Sequence, residues 1–111
     1  MMGEYSGIGD HAHIGCSGGV FLGANVIAGP YVTFHSQEHV ADDLSEPIRL
    51  QGTVESPIRI EDNVWIGARV TFLAGSRVGS GSIVAAGSVV RGVFPSNCVV
   101  GGVPAKILKY R

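Results

Sequence analysis

Between Ile60 and Val90 a bulky apolar residue recurs at every sixth position: Ile60, Ile66, Phe72, Val78, Val84 and Val90. Four positions after each of the first five stand Val64, Val70, Ser76, Ser82 and Ser88, all small or β-branched. Neither the 3.6-residue period of a helix nor the two-residue period of a strand generates a six-residue step. Self-similarity at a fixed period marks a solenoid. The physical reading is a parallel β-helix: short flat strands joined by tight turns, three strands to a coil. The marked aliphatic points into the coil, and the small residue four later also faces inward where space is narrow. Gly67 and Gly79 directly follow two marked positions, and the expectation is that they supply turns with positive φ.

The repeat begins at Ile8 and recurs at Ile14, then arrives two residues late at Leu22 before resuming as Ala28 and Phe34. Cys16 to Phe21 therefore read as a bulge at a coil corner. The pattern stops at Phe34 and resumes at Ile60. The intervening His35 to Arg59 is polar and acidic and contains Pro47 and Pro57. It reads as one long loop thrown out from the solenoid, and loops of that length in a compact domain are commonly functional. After Val90 the repeat ends; Cys98-Val99-Val100 offers a last strand, and Ala105 to Tyr110 a short helical turn or extended tail. This reading gives eleven marked faces, fewer than four coils, in one domain spanning 1–111 with the loop at about 35–59 inserted between coils. A solenoid this thin buries a low fraction of its surface, so association is expected, and a three-sided prism suits a threefold axis.

Composition narrows the class. Hydrophobic residues make up 45% and mean hydropathy is +0.29, which excludes a disordered chain. No apolar run reaches the roughly 18 residues of a membrane span, and Met1-Met2-Gly3-Glu4 does not read as a secretory leader. Cys16 and Cys98 form neither a disulfide framework nor a zinc motif; both read as free thiols in a reducing compartment, the cytoplasm. The net charge of −1 hides an asymmetry. All nine acids lie in residues 1–62, whereas residues 63–111 carry only bases: Arg69, Arg77, Arg91, Lys106, Lys109 and Arg111. That half can meet the phosphates of a nucleotide-like cofactor or simply keep a Gly- and Val-rich solenoid soluble. Nucleic acid is not indicated, since no recognised motif is present and few aromatics interleave the bases.

Three segments carry a family resemblance: Val64-Trp65-Ile66-Gly67-Ala68, Gly81 to Val90, and Val100-Gly101-Gly102-Val103-Pro104-Ala105-Lys106. Together they resemble the hexapeptide-repeat acyltransferases, closest to the maltose, galactoside and capsular-polysaccharide O-acetyltransferases. Pro47 to Gly52 is similar to a loop segment of the polysaccharide branch. The resemblance implies an all-β, left-handed parallel β-helix, a hand that the right-handed crossover rule would not suggest. It also implies a homotrimer with active sites between subunits, acetyl-CoA as co-substrate, and direct transfer to a hydroxyl of a sugar or saccharide precursor without an acyl-enzyme or a metal. By alignment to the family motif, His39 is the general base, with His35 as competitor; an imidazole near neutrality suits that task. The backbone N–H of Ala68 is the oxyanion donor. Trp65 walls the pantetheine channel or is simply a large residue on a coil face. Ala85 and Gly87 permit close approach of the pantetheine arm. Arg91 stands where the family often has a Thr-Lys pair, and with Lys106 and Lys109 it is the expected phosphate contact.

Two other classes compete. His11 and His13 alternate on a strand and are expected to project to the same side. With His35 and His39 they raise a trimeric γ-class carbonic anhydrase, in which three histidines hold a metal that activates water; the His35–His39 spacing departs from that family's. A catalytically silent scaffold or binding module is the other alternative, which cofactor binding separates from an enzyme.

Overall fold

Thirteen short strands wind into four triangular coils and the first face of a fifth. The structure, a computed structural model, describes residues 1–111. The first coil is β1 (Gly7–Ile8), β2 (His13–Gly15) and β3 (Val20–Leu22); the second is β4 (Ile27–Ala28), β5 (Thr33–His35) and β8 (Ile58–Ile60). The third is β9 (Trp65–Ile66), β10 (Thr71–Phe72) and β11 (Arg77–Val78), and the fourth β12 (Ile83–Val84), β13 (Val89–Val90) and β14 (Val93–Phe94). β15 (Cys98–Gly102) opens the fifth, and β16 (Ala105–Tyr110) pairs with it antiparallel. Equivalent strands stack in parallel into three sheets: face one holds β1, β4, β9, β12 and β15, face two β2, β5, β10 and β13, and face three β3, β8, β11 and β14. The fold is the left-handed parallel β-helix. No helix is long and apolar enough to cross a membrane.

The six-residue step is the interior of this prism. Ile60, Ile66, Phe72, Val78, Val84 and Val90 are buried to 1% exposure or less, as are Val64, Val70, Ser76, Ser82 and Ser88 four residues on. Phe34 and Phe72 stack at 5.0 Å on successive coils. Each such aliphatic contributes about 1.5–3 kcal/mol of burial. Serine is admitted where its hydroxyl finds a backbone partner: Ser88 Oγ donates to Ala85 O at 2.6 Å and Ser82 Oγ to Pro95 O at 3.0 Å. Both cysteines are free, Cys16 exposed and Cys98 buried.

Several expectations are corrected. The repeat does not end at Val90: β14 follows after a shortened turn, so Phe94 and Val100 continue the series against Val78 and Val84. Of the two forms expected for Ala105 to Tyr110 the extended one is found, as β16, which closes the open edge of β15. Gly67 and Gly79 do not adopt positive φ. They are glycines because coils stack closely there: a Cβ on Gly67 would lie 2.6 Å from Ala86 N, and one on Gly79 2.5 Å from Ser96 N. Left-handed corners are instead taken by other residues in vertical columns, Asn25, Asn63, Gly81 and Asn97 in one and His11, Tyr31, Arg69 and Gly87 in another. Asparagine tolerates that conformation because its short polar side chain bonds locally.

The loop expected at 35–59 is shorter at both ends, since His35 closes β5 and Ile58 and Arg59 open β8; residues 36–57 form a hairpin arm between them. Its strands β6 (Gln37–His39) and β7 (Thr53–Glu55) pair antiparallel, Gln37 opposite Glu55 and His39 opposite Thr53. The tip holds itself together. Asp43 accepts from Ser45 N at 2.9 Å and Ser45 Oγ at 2.7 Å, and the Gln51 amide donates to Asp43 O and Glu46 O. Those Ser45 hydrogen bonds, hydroxyl first, hold the Asp43 carboxyl below the usual aspartate range.

Candidate active site

The arm is rooted by Ser36, a fully buried residue whose Oγ donates to Gly15 O at 2.5 Å and accepts from Gly18 N at 2.9 Å. Gly15 and Gly18 belong to the coil below, so the root of the arm is tied to the first coil's corner. From that root β6 alternates. Gln37 and His39 face a cleft over face two, while Glu38 points to the other side and meets Arg91 of the fourth coil at 2.7 Å. Ser17 Oγ donates to Gln37 Oε1 at 3.0 Å, a second tie between arm and scaffold.

The cleft has a volume of about 360 Å³ and is lined by His13, Gly15, Ser17, His35, Ser36, Gln37 and His39, with no apolar side chain. β2 lies under β5, with Gly15 opposite His35, which brings the His13 and His35 rings to 5.6 Å between centroids, tilted by 36°. His39 closes the same cleft from the arm. None of these three imidazoles makes a hydrogen bond within the chain. Both candidate bases, His35 and His39, are therefore exposed in one polar cleft. His11 is elsewhere, contrary to expectation: its left-handed corner position stacks its ring on Tyr31 at 4.7 Å, and Arg69 covers the same tyrosine at 4.5 Å. No three His, Cys, Asp or Glu side chains converge on a metal-holding arrangement.

The residues expected at the cofactor lie around the neighbouring edge. Trp65 stands on face one, 59% exposed, in register with Ile27 and Ile83. Ala68, Ala85 and Gly87 occupy the corner between faces one and two. The Ala68 N–H has no acceptor within the chain, and a Cβ at Gly87 would meet nothing within 4 Å. Lys106 and Lys109 are exposed on β16, opposite Gly101 and Val99. The exposed indole of Trp65 lies with Asn63, Ile83 and Arg111 on face one, and the free Ala68 N–H and open Gly87 stand at the corner between faces one and two; none of these residues lines the histidine cleft. Arg91, the other expected cofactor contact, meets Glu38 while its side chain stays 59% exposed.

His13, Ser17, Gln37 and Glu38 were not legible as site residues. The signal for the first was present but misassigned: a histidine just before Ile14 and one just after Phe34 share an outward face only once Ile14 is known to stack on Phe34.

Residues 57–92 match the family model described as bacterial transferase hexapeptide (six repeats). A hexapeptide-repeat acetyltransferase from Vibrio cholerae, solved with acetyl coenzyme A, superposes with a TM-score of 0.82 at 32% identity, covering 98% of this chain and 69% of that one. The chain belongs to the hexapeptide-repeat transferase family. Galactoside O-acetyltransferase of Lactococcus lactis is 37% identical over 89 residues, 79% of this chain and 42% of the relative. A 2,3,4,5-tetrahydropyridine-2,6-dicarboxylate N-acetyltransferase of Staphylococcus aureus is 50% identical over 64 residues, 54% of this chain and 27% of the relative. The chain thus spans less than half the length of these two curated relatives.

Proposed function

We propose that this chain transfers an acetyl group from acetyl-CoA directly to a hydroxyl of a saccharide acceptor, with His39 as general base. The observation that carries the reading is the His39 imidazole, held by a hairpin arm in a wholly polar cleft and free of any partner in the chain. In the step, an imidazole nitrogen of His39 takes the acceptor's hydroxyl proton as the oxygen attacks the thioester carbonyl. The Ala68 N–H donates to the oxygen that gains charge, a role its unpaired state suits. The carbonyl re-forms as the C–S bond breaks, and the imidazolium returns its proton to the CoA thiolate. Trp65, Ala85, Gly87, Lys106 and Lys109 are the proposed cofactor contacts.

That the histidine cleft shares no lining residue with Trp65 or Ala68 supports a homotrimer, in which one subunit contributes the arm and its neighbour Trp65 and the Ala68 N–H. Acceptor class is the finer part of the proposal. Relatives named as an O-acetyltransferase and as an N-acetyltransferase both match this chain, so hydroxyl and amine acceptors are both put to the test. The test is thiol release from acetyl-CoA against a panel of sugars, nucleotide sugars and amines, with light scattering for mass. The expected results are acceptor-dependent release with a sugar and a mass about three times 11.5 kDa. Absence of both CoA binding and thiol release would overturn the enzyme in favour of a silent scaffold, and release only with amines would replace the hydroxyl acceptor.

A further inference from the structure

We infer that the cleft between the first coil and the arm binds an anionic group of the acceptor, a sugar carboxylate or phosphate, through His13 and His35, leaving His39 free to take the proton. This rests on the reading that the acceptor enters this cleft. Its charge is one-sided: every ionisable side chain that lines it is a histidine, which on protonation becomes cationic and a donor at both nitrogens. Ser36 Oγ donates to Gly15 O and accepts from Gly18 N, and Gln37 Oε1 accepts from the Ser17 hydroxyl. The Gln37 amide nitrogen and the three imidazoles make no hydrogen bond within the chain. No carboxylate and no apolar side chain lines the cleft. Glu38 is drawn to the far side of β6 by Arg91. Glu55, directly across the hairpin from Gln37, is the one carboxylate of the two arm strands on the cleft's side, and it does not line the cleft.

A neutral sugar can use neutral imidazoles as both donors and acceptors and gains nothing from their protonation. An anion needs donors alone. Two imidazoles 5.6 Å apart repel each other when both are protonated, and an anion placed between them removes that repulsion and favours the charged form. Binding should therefore take up protons. Histidine titrates close to neutral pH, so an anion that recruits one imidazolium is held more tightly as pH falls from 8 to 6.

The experiment is calorimetric titration of the full chain with D-glucuronate, glucose 6-phosphate and D-glucose at pH 6 and pH 8, with histidine ring-proton NMR. We expect glucuronate to bind about tenfold or more tighter at pH 6 than at pH 8, with His13 and His35 signals moving to protonated positions, and glucose to show no such dependence. Which of the two anions binds more tightly at pH 6 assigns carboxylate or phosphate. His13→Gln and His35→Gln, which keep an amide donor but cannot titrate, should each abolish most of the pH dependence, while His39→Gln retains glucuronate binding. Equal affinity for glucose and both anions at pH 6, or unchanged binding in both glutamine variants, would overturn the assignment. Acetyl transfer to a neutral sugar without anion binding would sink the anion site and leave the transferase standing; glucuronate binding without thiol release for any acceptor would do the reverse.

Discussion

Arg91→Ala separates two roles for one residue. The family resemblance makes Arg91 a phosphate contact of the cofactor; the structure makes it the far end of a strut to Glu38, 53 positions away. Glu38 precedes His39 on β6, so the strut helps fix which face of that strand turns into the cleft. Its strength follows from its surroundings. The two side chains are 59% and 36% exposed, and exposed ion pairs contribute about 0.2–1 kcal/mol, or roughly 1.4- to 5-fold in the docked population of the arm. Arg91→Ala should therefore lower kcat by at most that factor at low salt and leave KM for acetyl-CoA nearly unchanged. Glu38→Ala should do the same, and the double variant should be no worse than either single one. The charge-reversed pair Glu38→Arg with Arg91→Glu should recover most of the loss. Because screening acts on exposed charges, the differences should shrink at high salt. The assay is steady-state thiol release at two ionic strengths. A cofactor contact predicts the opposite split, a raised KM with kcat retained. A tenfold rise in KM for Arg91→Ala, with Glu38→Ala silent, would refute the strut.

His39→Ala should lose on the order of 10² to 10⁴ in kcat with CoA binding retained, whereas His35→Ala should chiefly raise the acceptor KM; a dead His35→Ala beside a near wild-type His39→Ala would reverse the assignment. Gly67→Ala drives a Cβ into the Ala86 backbone and should cost about 1–3 kcal/mol as overpacking, while Gly87→Asn, at an open left-handed corner, should be close to neutral in urea denaturation. Lys106→Ala with Lys109→Ala should raise KM for acetyl-CoA with little change in kcat, and an unchanged KM would remove them from the cofactor site. The Asp43 carboxyl is held low by Ser45, so the ordering it lends the arm's tip is present above the ordinary aspartate range and lost as pH falls through its lowered value; amide exchange at Ser45 from pH 5 to pH 2 reports this, and constant protection would contradict it.

The six-residue step determined the prism by itself. A triangular coil has a narrow interior, and only a bulky apolar residue with a small one four later fills it, so burial could be read directly from Ile60 to Val90. The arm was equally legible, because acids and prolines interrupt the repeat at His35 and it resumes at Ile60. What the tertiary structure decided lies between coils. The two-residue delay before Leu22 and the shortened turn after Val90 hide the vertical register from a linear reading, and register alone sets which outward residues are neighbours. It brings the His13 ring diagonally beside His35, sends His11 to a corner against Tyr31, and places Arg91 within reach of Glu38. Gly67 shows the same division: its place in the repeat is written in the chain, but the reason it must be glycine is the backbone of Ala86 one coil above. Contacts along a strand follow from spacing, whereas contacts across coils depend on how each turn is closed.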